Sequence, residues 1–202
     1  MKSVLISTRP KWCEKICHEI GKEEAGKAIY EKRIEVRKTA PKEVPFKAYI
    51  YETKESKMRY LNDRFNSFLK NKSHYTDMGK VIGEFICDKV YNLVNAFGGI
   101  MFADENLNQL EPQLFRDMSC LTDEQTADYL GDKDGYGWHI SDLKIYDKPK
   151  ELSEFCIPCK VSCENCKNPL YFECWCEEKG KKIVTRPPQS WCYVEELCKA
   201  QN

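Results

Sequence analysis

Residues 30 to 38 read YEKRIEVRK, and this short run constrains the fold more than any other stretch of the chain. Ile34 and Val36 alternate with Lys32, Arg33, Glu35, Arg37 and Lys38, the period-2 pattern of a strand with one face in a core. A strand here puts Arg33, Glu35 and Arg37 on the opposite face. A carboxylate held between basic groups stays ionised, and such a cluster suits a polar or anionic ligand. The plain alternative is a solvated face of mutual ion pairs, which are common and weak.

Other segments read in the same way. Val4 to Ser7 is a short apolar strand, and Arg9-Pro10 ends it, with Pro10 placed to start a helix that carries Trp12, Ile16 and Ile20 at helical spacing. Residues 21 to 29 add length before the charged strand. Pro41 and Pro45 bracket a turn, FKAYIYET alternates as a strand, and GKVIGEFICDKV is a strong strand with a bulge expected near Gly83. Residues 55 to 72 recur at three- and four-residue steps through Met58, Leu61, Phe65, Phe68 and Leu69, an amphipathic helix. Residues 91 to 134 read as helix-rich. Pro112 interrupts one helical pattern there, and Thr122 with Gln125 forms a capping box for a helix that Gly131 ends.

GYGWHISDLKIYD returns to strand, with Gly135 and Gly137 permitting tight backbone geometry before Trp138 and His139. The favoured reading of that histidine is a structurally satisfied imidazole, with acid/base work beside Asp134 and Asp142 as the alternative. RPPQSWCYVEEL closes the fold, with Trp191, Tyr193 and Val194 as a last strand.

The charged strand, together with MKSVLISTRPKWCEKI, GKVIGEF, GYGWHISDLKIYDKPKEL and RPPQSWCYVEEL, resembles the ASCH family of the PUA-like superfamily, in a form associated with phages and bacterial mobile elements. Lys32, Glu35 and Arg37 match the charged positions of the family's GxKxxExR motif, and Tyr30 stands at its glycine. The resemblance implies one α+β domain over residues 1–202, a small mixed PUA-like β-barrel with flanking helices. Its helical insertions are about 55–72 and 91–134, and a cysteine-rich hairpin lies at 156–182.

By the same resemblance, the cleft beside the barrel binds RNA or a modified nucleotide. Arg9, Trp12, Lys32, Glu35, Arg37, Lys38 and Trp138 are the candidate contacts. Lys32, Arg37 and Lys38 would meet phosphates or a base edge, Glu35 would accept from an amino group, and Trp12 or Trp138 would stack. An alternative is a hydrolase acting on acylated nucleosides or RNA, with Lys32 and Glu35 as its catalytic pair. A third reading is a protein-interaction adaptor built on the cysteine hairpin or the 55 to 72 helix, its partner unnamed by any residue pattern.

Twelve cysteines would suit a secreted disulfide scaffold, but Lys2 and a short apolar run do not make an export signal. The expectation is therefore a reducing compartment, the cytoplasm. No apolar run approaches the roughly 20 residues of a membrane span. Six cysteines lie within 156 to 176, spaced Cys156-x2-Cys159-x3-Cys163-x2-Cys166 and Cys174-x-Cys176. CxxC knuckles set two thiolates on one side of a tight turn, the geometry that tetrahedral zinc requires. The comfortable ligand set for a structural Zn2+ is Cys159, Cys163, Cys166 and Cys176, with Cys156 or Cys174 able to replace a member.

Charge argues about partners too. The formal net charge is zero, yet residues 1–80 hold 19 Lys and Arg against 11 Asp and Glu. A zero total excludes coating of nucleic acid by bulk charge and leaves room for a local basic patch.

Overall fold

The computed structural model describes residues 1–17, 33–54, 78–96, 99–158 and 182–196. Its elements, in chain order, are β1 (Lys2–Thr8), α1 (Pro10–Cys17), β2 (Arg33–Arg37), β3 (Phe46–Glu52), β4 (Val81–Cys87), β5 (Val90–Ala96), β6 (Gly99–Ala103), α2 (Pro112–Ser119), α3 (Asp123–Leu130), β7 (Gly135–Lys150), β8 (Phe155–Ile157), β9 (Lys182–Ile183), β10 (Trp191–Tyr193) and β11 (Glu195–Glu196). The fold is α+β. One sheet runs in the order β10-β1-β3-β4-β7-β5-β6 with β2 added on β7, and a small sheet runs β11-β8-β9. Residues 55–72, where an amphipathic helix is expected, and Ile20, Lys32, Cys159, Cys163, Cys166, Cys174 and Cys176 lie outside the described residues.

The chain divides into two compact units. The first unit takes residues 1–2, 11–48 and 84–145. There β2 and β5 both pair antiparallel with β7, so that Trp138 lies opposite Glu35 on one neighbour and Val90 on the other. Alternation along β2 sends Ile34 and Val36 into a core with Leu93, Phe102, Phe115, Met118 and Leu130. Helix α2 contributes Phe115 and Met118 to that core and begins at Pro112, where the missing N–H costs nothing. The expected capping box of α3 is present: Thr122 Oγ1 accepts from Gln125 N, and Gln125 Oε1 accepts from Thr122 N.

The glycines of β7 serve space. A Cβ on Gly137 would meet Ile34 Cδ1 at 2.8 Å, and one on Gly135 would meet a Leu130 methyl at 2.6 Å. Core side chains therefore pack directly against bare backbone.

The helix-rich reading of 91–134 needs correction in its first third. Val90–Ala96 and Gly99–Ala103 form an antiparallel hairpin, Asn92 facing Ala103 through Ala96 facing Gly99. Leu93 and Phe102 are buried opposite one another, a cross-strand pair whose value becomes visible only when both strands are laid side by side.

The second unit takes residues 3–10, 49–83 and 146–202. Its core is Leu5, Tyr49, Tyr51, Val81, Phe155, Val184 and Val194. Strand β1 pairs with the closing strand β10, Leu5 opposite Cys192. Strands β8 and β9 pair with Cys156 opposite Ile183, so the cysteine-rich segment leaves and returns at neighbouring strands. Cys156 itself is fully buried, its thiol directed at Glu195 O at 3.5 Å.

Candidate functional site

The charged face of β2 is not a solvated one. Arg33 and Arg37 retain only 7% and 5% of their exposure, and Arg37 Nη2 reaches Glu35 Oε1 at 2.7 Å. Residues i and i+2 of a strand share a face, so this pair follows directly from the sequence alternation. Desolvation pushes the Glu35 carboxyl above its ordinary range, and the Arg37 guanidinium opposes that rise. Burying two ions costs several kcal/mol each in general, about as much as their attraction returns, so such a pair is weak grounds for stability. It is a functional-site candidate for the same reason.

Arg33 points to the helices. Its Nη1 donates to Lys15 O on α1, and its Nη2 reaches Cys120 Sγ at 3.3 Å. Cys120 caps α2 in the left-handed region at φ 54°, and its carbonyl accepts from Lys15 Nζ at 3.3 Å. One guanidinium thus ties α1 and the end of α2 to the start of β2. Beside it, Trp12 is half-buried, with Lys11 Nζ at 5.1 Å and Lys15 Nζ at 5.6 Å from its ring centroid. Two ammonium groups against one indole make a cationic aromatic patch on α1.

The remaining candidates fall in different places. Lys38 is exposed, its ammonium 5.4 Å from the Tyr129 ring. Arg9 is exposed and belongs to the second unit. Lys32 lies outside the described residues, so of the Lys32, Glu35 and Arg37 set the structure brings Glu35 and Arg37 together.

Trp138 is corrected outright. It is fully buried and meets Phe46 edge-on, with centroids 5.0 Å apart at 85°. Flanked on both sides by strands, it is a core residue and offers no open stacking face.

His139 follows the favoured reading of a satisfied imidazole, with a partner other than Asp134 or Asp142. Its Nδ1 lies 2.6 Å from Asp88 Oδ1, in the two-residue break between β4 and β5, and its backbone N–H donates to Lys89 O. Desolvation acts to raise the Asp88 carboxyl, but hydrogen bonding from His139, the imidazole charge and the Ser141 hydroxyl outweigh it and hold the group below the usual carboxylate range. The two carboxylates nearest in sequence do other things. Asp134 accepts from Asn95 N, and Asp142 is exposed in a left-handed conformation at φ 47°.

Sequence reading missed Asp88, Cys120 and the Lys47–Glu84 pair at 3.0 Å, all set by contacts distant in sequence. For Lys47 and Glu84 the signal was opposite charges on two expected strands. For Cys120 there was none beyond its place after a helical pattern.

Among the described residues no three histidine, cysteine or acidic side chains gather as a metal group. Nor is any helix there long and apolar enough to cross a membrane. Burial also silences most described thiols: Cys13, Cys87 and Cys156 are buried, and desolvation pushes Cys87 up to about 12.

The class that fold and site define is an α+β domain whose core strand carries a buried arginine–glutamate pair. No family model matches the chain, and no curated protein matches it. Among solved structures it is similar to ASCH from Zymomonas mobilis, at 15% identity and a TM-score of 0.48, over 96% of this chain and 88% of that one. It is also similar to a point mutant of that protein, at 14% identity and a TM-score of 0.47, over 96% and 91%. Likeness at this level has no bearing on activity.

Proposed function

We propose that the chain is an ASCH-like module that binds RNA or a nucleotide through the charged face of β2 and the cationic aromatic patch of α1. The observation that carries this reading is the Glu35–Arg37 pair, whose side chains are 14% and 6% exposed. Free surface pairs of this kind need no burial, whereas a ligand-recognising pair works better where water is excluded. In this reading Lys11, Lys15 and Lys38 meet phosphates and Trp12 supplies the stacking face. Filter binding of short single-stranded RNA at low salt tests it. Retention is expected, with a fall of about tenfold or more in Trp12→Ala, in keeping with the roughly 1–3 kcal/mol of a stacked base. No retention at any protein concentration refutes the reading.

A second reading is a hydrolase using Lys32 and Glu35, and the raised carboxyl of Glu35 favours it, because such a group exchanges protons nearer neutral pH. Turnover of acylated nucleosides or RNA that Lys32→Ala and Glu35→Gln both abolish supports it. Unchanged turnover in both variants dismisses it.

We also propose a structural zinc in the cysteine segment, held by Cys159, Cys163, Cys166 and Cys176. Its support is the CxxC spacing, together with a segment whose two ends are paired in β8 and β9. Elemental analysis is expected to return one zinc per chain. A chelated protein with an unchanged thermal midpoint and no zinc at the outset would reject the metal.

A further inference from the structure

Strand β6 ends its sheet without the devices that usually blunt an edge. It reads Gly-Ile-Met-Phe-Ala, with neither charge nor proline, whereas exposed edges are ordinarily guarded by charged side chains, prolines or bulges. The register shows where its backbone groups point. Asn95 stands opposite Ile100, and the Asn95 N–H turns away from β6 to donate to Asp134 Oδ1 at 2.9 Å. Ile100, its partner in a non-hydrogen-bonded pair, therefore turns its own N–H and C=O to the outer edge. Phe102, two residues on, faces the same way, and its carbonyl accepts from Leu110 N at 2.8 Å. The returning chain, with Gln109 bridged to Ala103, covers that end of the edge. Among the described residues no strand lies beyond 99–101, and a Cβ placed on Gly99 would meet nothing within 4 Å.

The two faces of β6 differ. On one, Phe102 lies in the core with Phe115, Met118 and Leu130, under α2 and α3. On the other, Met101 stands opposite Val94, and both are half-buried. Charge around the edge has one sign. Residues 104–134, which follow β6 and build α2 and α3, hold nine Asp and Glu against Arg116 and Lys133. All nine acidic residues except Asp104 are exposed. A second copy of the chain would bring the same negative lobe to the contact, and nucleic acid would bring its phosphates, so both are disfavoured there.

We propose that the outer edge of β6 at residues 99–101 takes an extended, basic segment of a protein partner as an added strand. Backbone bonds to Ile100 attach the segment, and the alternation of its side chains sets which segment fits. Side chains on one face of the added strand continue the surface of Met101 and Val94 and suit apolar residues. Those on the opposite face turn to the side that carries α2 and α3 and suit Lys or Arg. This surface is separate from β2 and α1, and the proposal stands whether or not those elements bind nucleic acid.

Fluorescence anisotropy on the full chain, with a labelled peptide of alternating Lys and Val, tests this. Saturable binding that salt weakens is expected. An alternating Glu-Val peptide, and a Lys-Val peptide N-methylated at every amide, are expected to bind about tenfold more weakly or worse. Ile100→Pro removes the outward N–H without touching the ladder to β5, a place where an edge strand accepts proline, and should abolish binding. Thermal melting reports whether that variant folds. If it does not, Gly99→Lys decides: its side chain has room, and its cation on the edge should weaken the Lys-Val peptide by about two- to fivefold. Equal binding of the methylated or the Glu-Val peptide, no binding by wild type, or unchanged binding by Gly99→Lys overturns the proposal. So does a wild-type dimer in sedimentation that Gly99→Lys dissolves, because the edge would then hold a second copy.

Discussion

The two units bury charge to different extents: Arg33 and Arg37 in the first, Glu52 in the second. In the first, Arg33 and Arg37 are nearly fully buried beside Glu35, on the reverse of a strand that sends Ile34 and Val36 into the core. In the second, the core of Leu5, Tyr49, Tyr51, Val81, Phe155, Val184 and Val194 is apolar apart from its tyrosines. Its ion pairs sit further out: Lys80–Glu151 has side chains 39% and 58% exposed, and Lys150–Glu196 has 23% and 36%. A core made for stability follows the second pattern, since exposed pairs cost little and return little. Buried ions in the first unit contribute little to stability for their cost, which is what the proposed ligand-binding reading draws on.

Five experiments press on that contrast. The largest effect belongs to single changes inside either core. Phe155→Ala removes a fully buried ring stacked edge-on against Tyr49 at 4.8 Å and is expected to destabilise by about 3–5 kcal/mol in chemical denaturation. Arg37→Ala is expected to cost about as much, ~3–5 kcal/mol, because Glu35 is left buried without its guanidinium. The contrast sharpens in the double variant Glu35→Leu with Arg37→Met, where both charges go at once. Stability close to wild type, or above it by about 1–4 kcal/mol, is expected together with loss of RNA binding. If the double variant is as unstable as Arg37→Ala, the pair is a structural strut.

A smaller effect lies in pH dependence. Glu35 has its carboxyl raised in the folded chain, so folding favours the protonated form. Its contribution is fully present below the ordinary glutamate value and is lost as pH rises through the folded value. Asp88 is shifted down, so its contribution is present above the ordinary aspartate value and is lost as pH falls through the depressed one. Stability measured from acid to neutral pH should therefore fall less with rising pH in Glu35→Gln than in wild type, and should lose less on acidification in Asp88→Asn. Parallel curves for all three proteins would show that neither carboxylate is coupled to folding.

The smallest effect is expected at the exposed pair of the second unit. Lys80→Ala should change stability by no more than about 1 kcal/mol, and salt should shrink even that. A loss comparable to that of Arg37→Ala would erase the difference between the units.

Much of the local structure could be read in advance because its causes are local. The strand at Ile34 and Val36, the helix entered at Pro10, the capping box at Thr122 and Gln125, and the stop at Gly131 each rest on residues within a few positions of one another. The hairpin of Val90–Ala103 was hidden because its apolar residues pair with each other across strands and leave no period that separates strand from helix. Trp138 was misplaced for a similar reason. An aromatic beside a histidine and glycines looks the same in sequence whether its strand is central or open to a ligand, and only the neighbours Glu35 and Val90 decide.

The amino-acid order by itself determined that Glu35 and Arg37 share a face with Arg33, because strand geometry turns alternate positions the same way. Whether that face meets water was settled only by tertiary packing, which set α1 and the cap of α2 around Arg33 and left Arg37 almost without exposure. Likewise, His139 had its chemistry in the sequence but not its partner, because Asp88 is brought to it by the pairing of β4 and β5 with β7, fifty-one positions away in the chain. Periodicity fixes direction over a few residues, whereas burial and pairing are properties of the surface that distant segments bring.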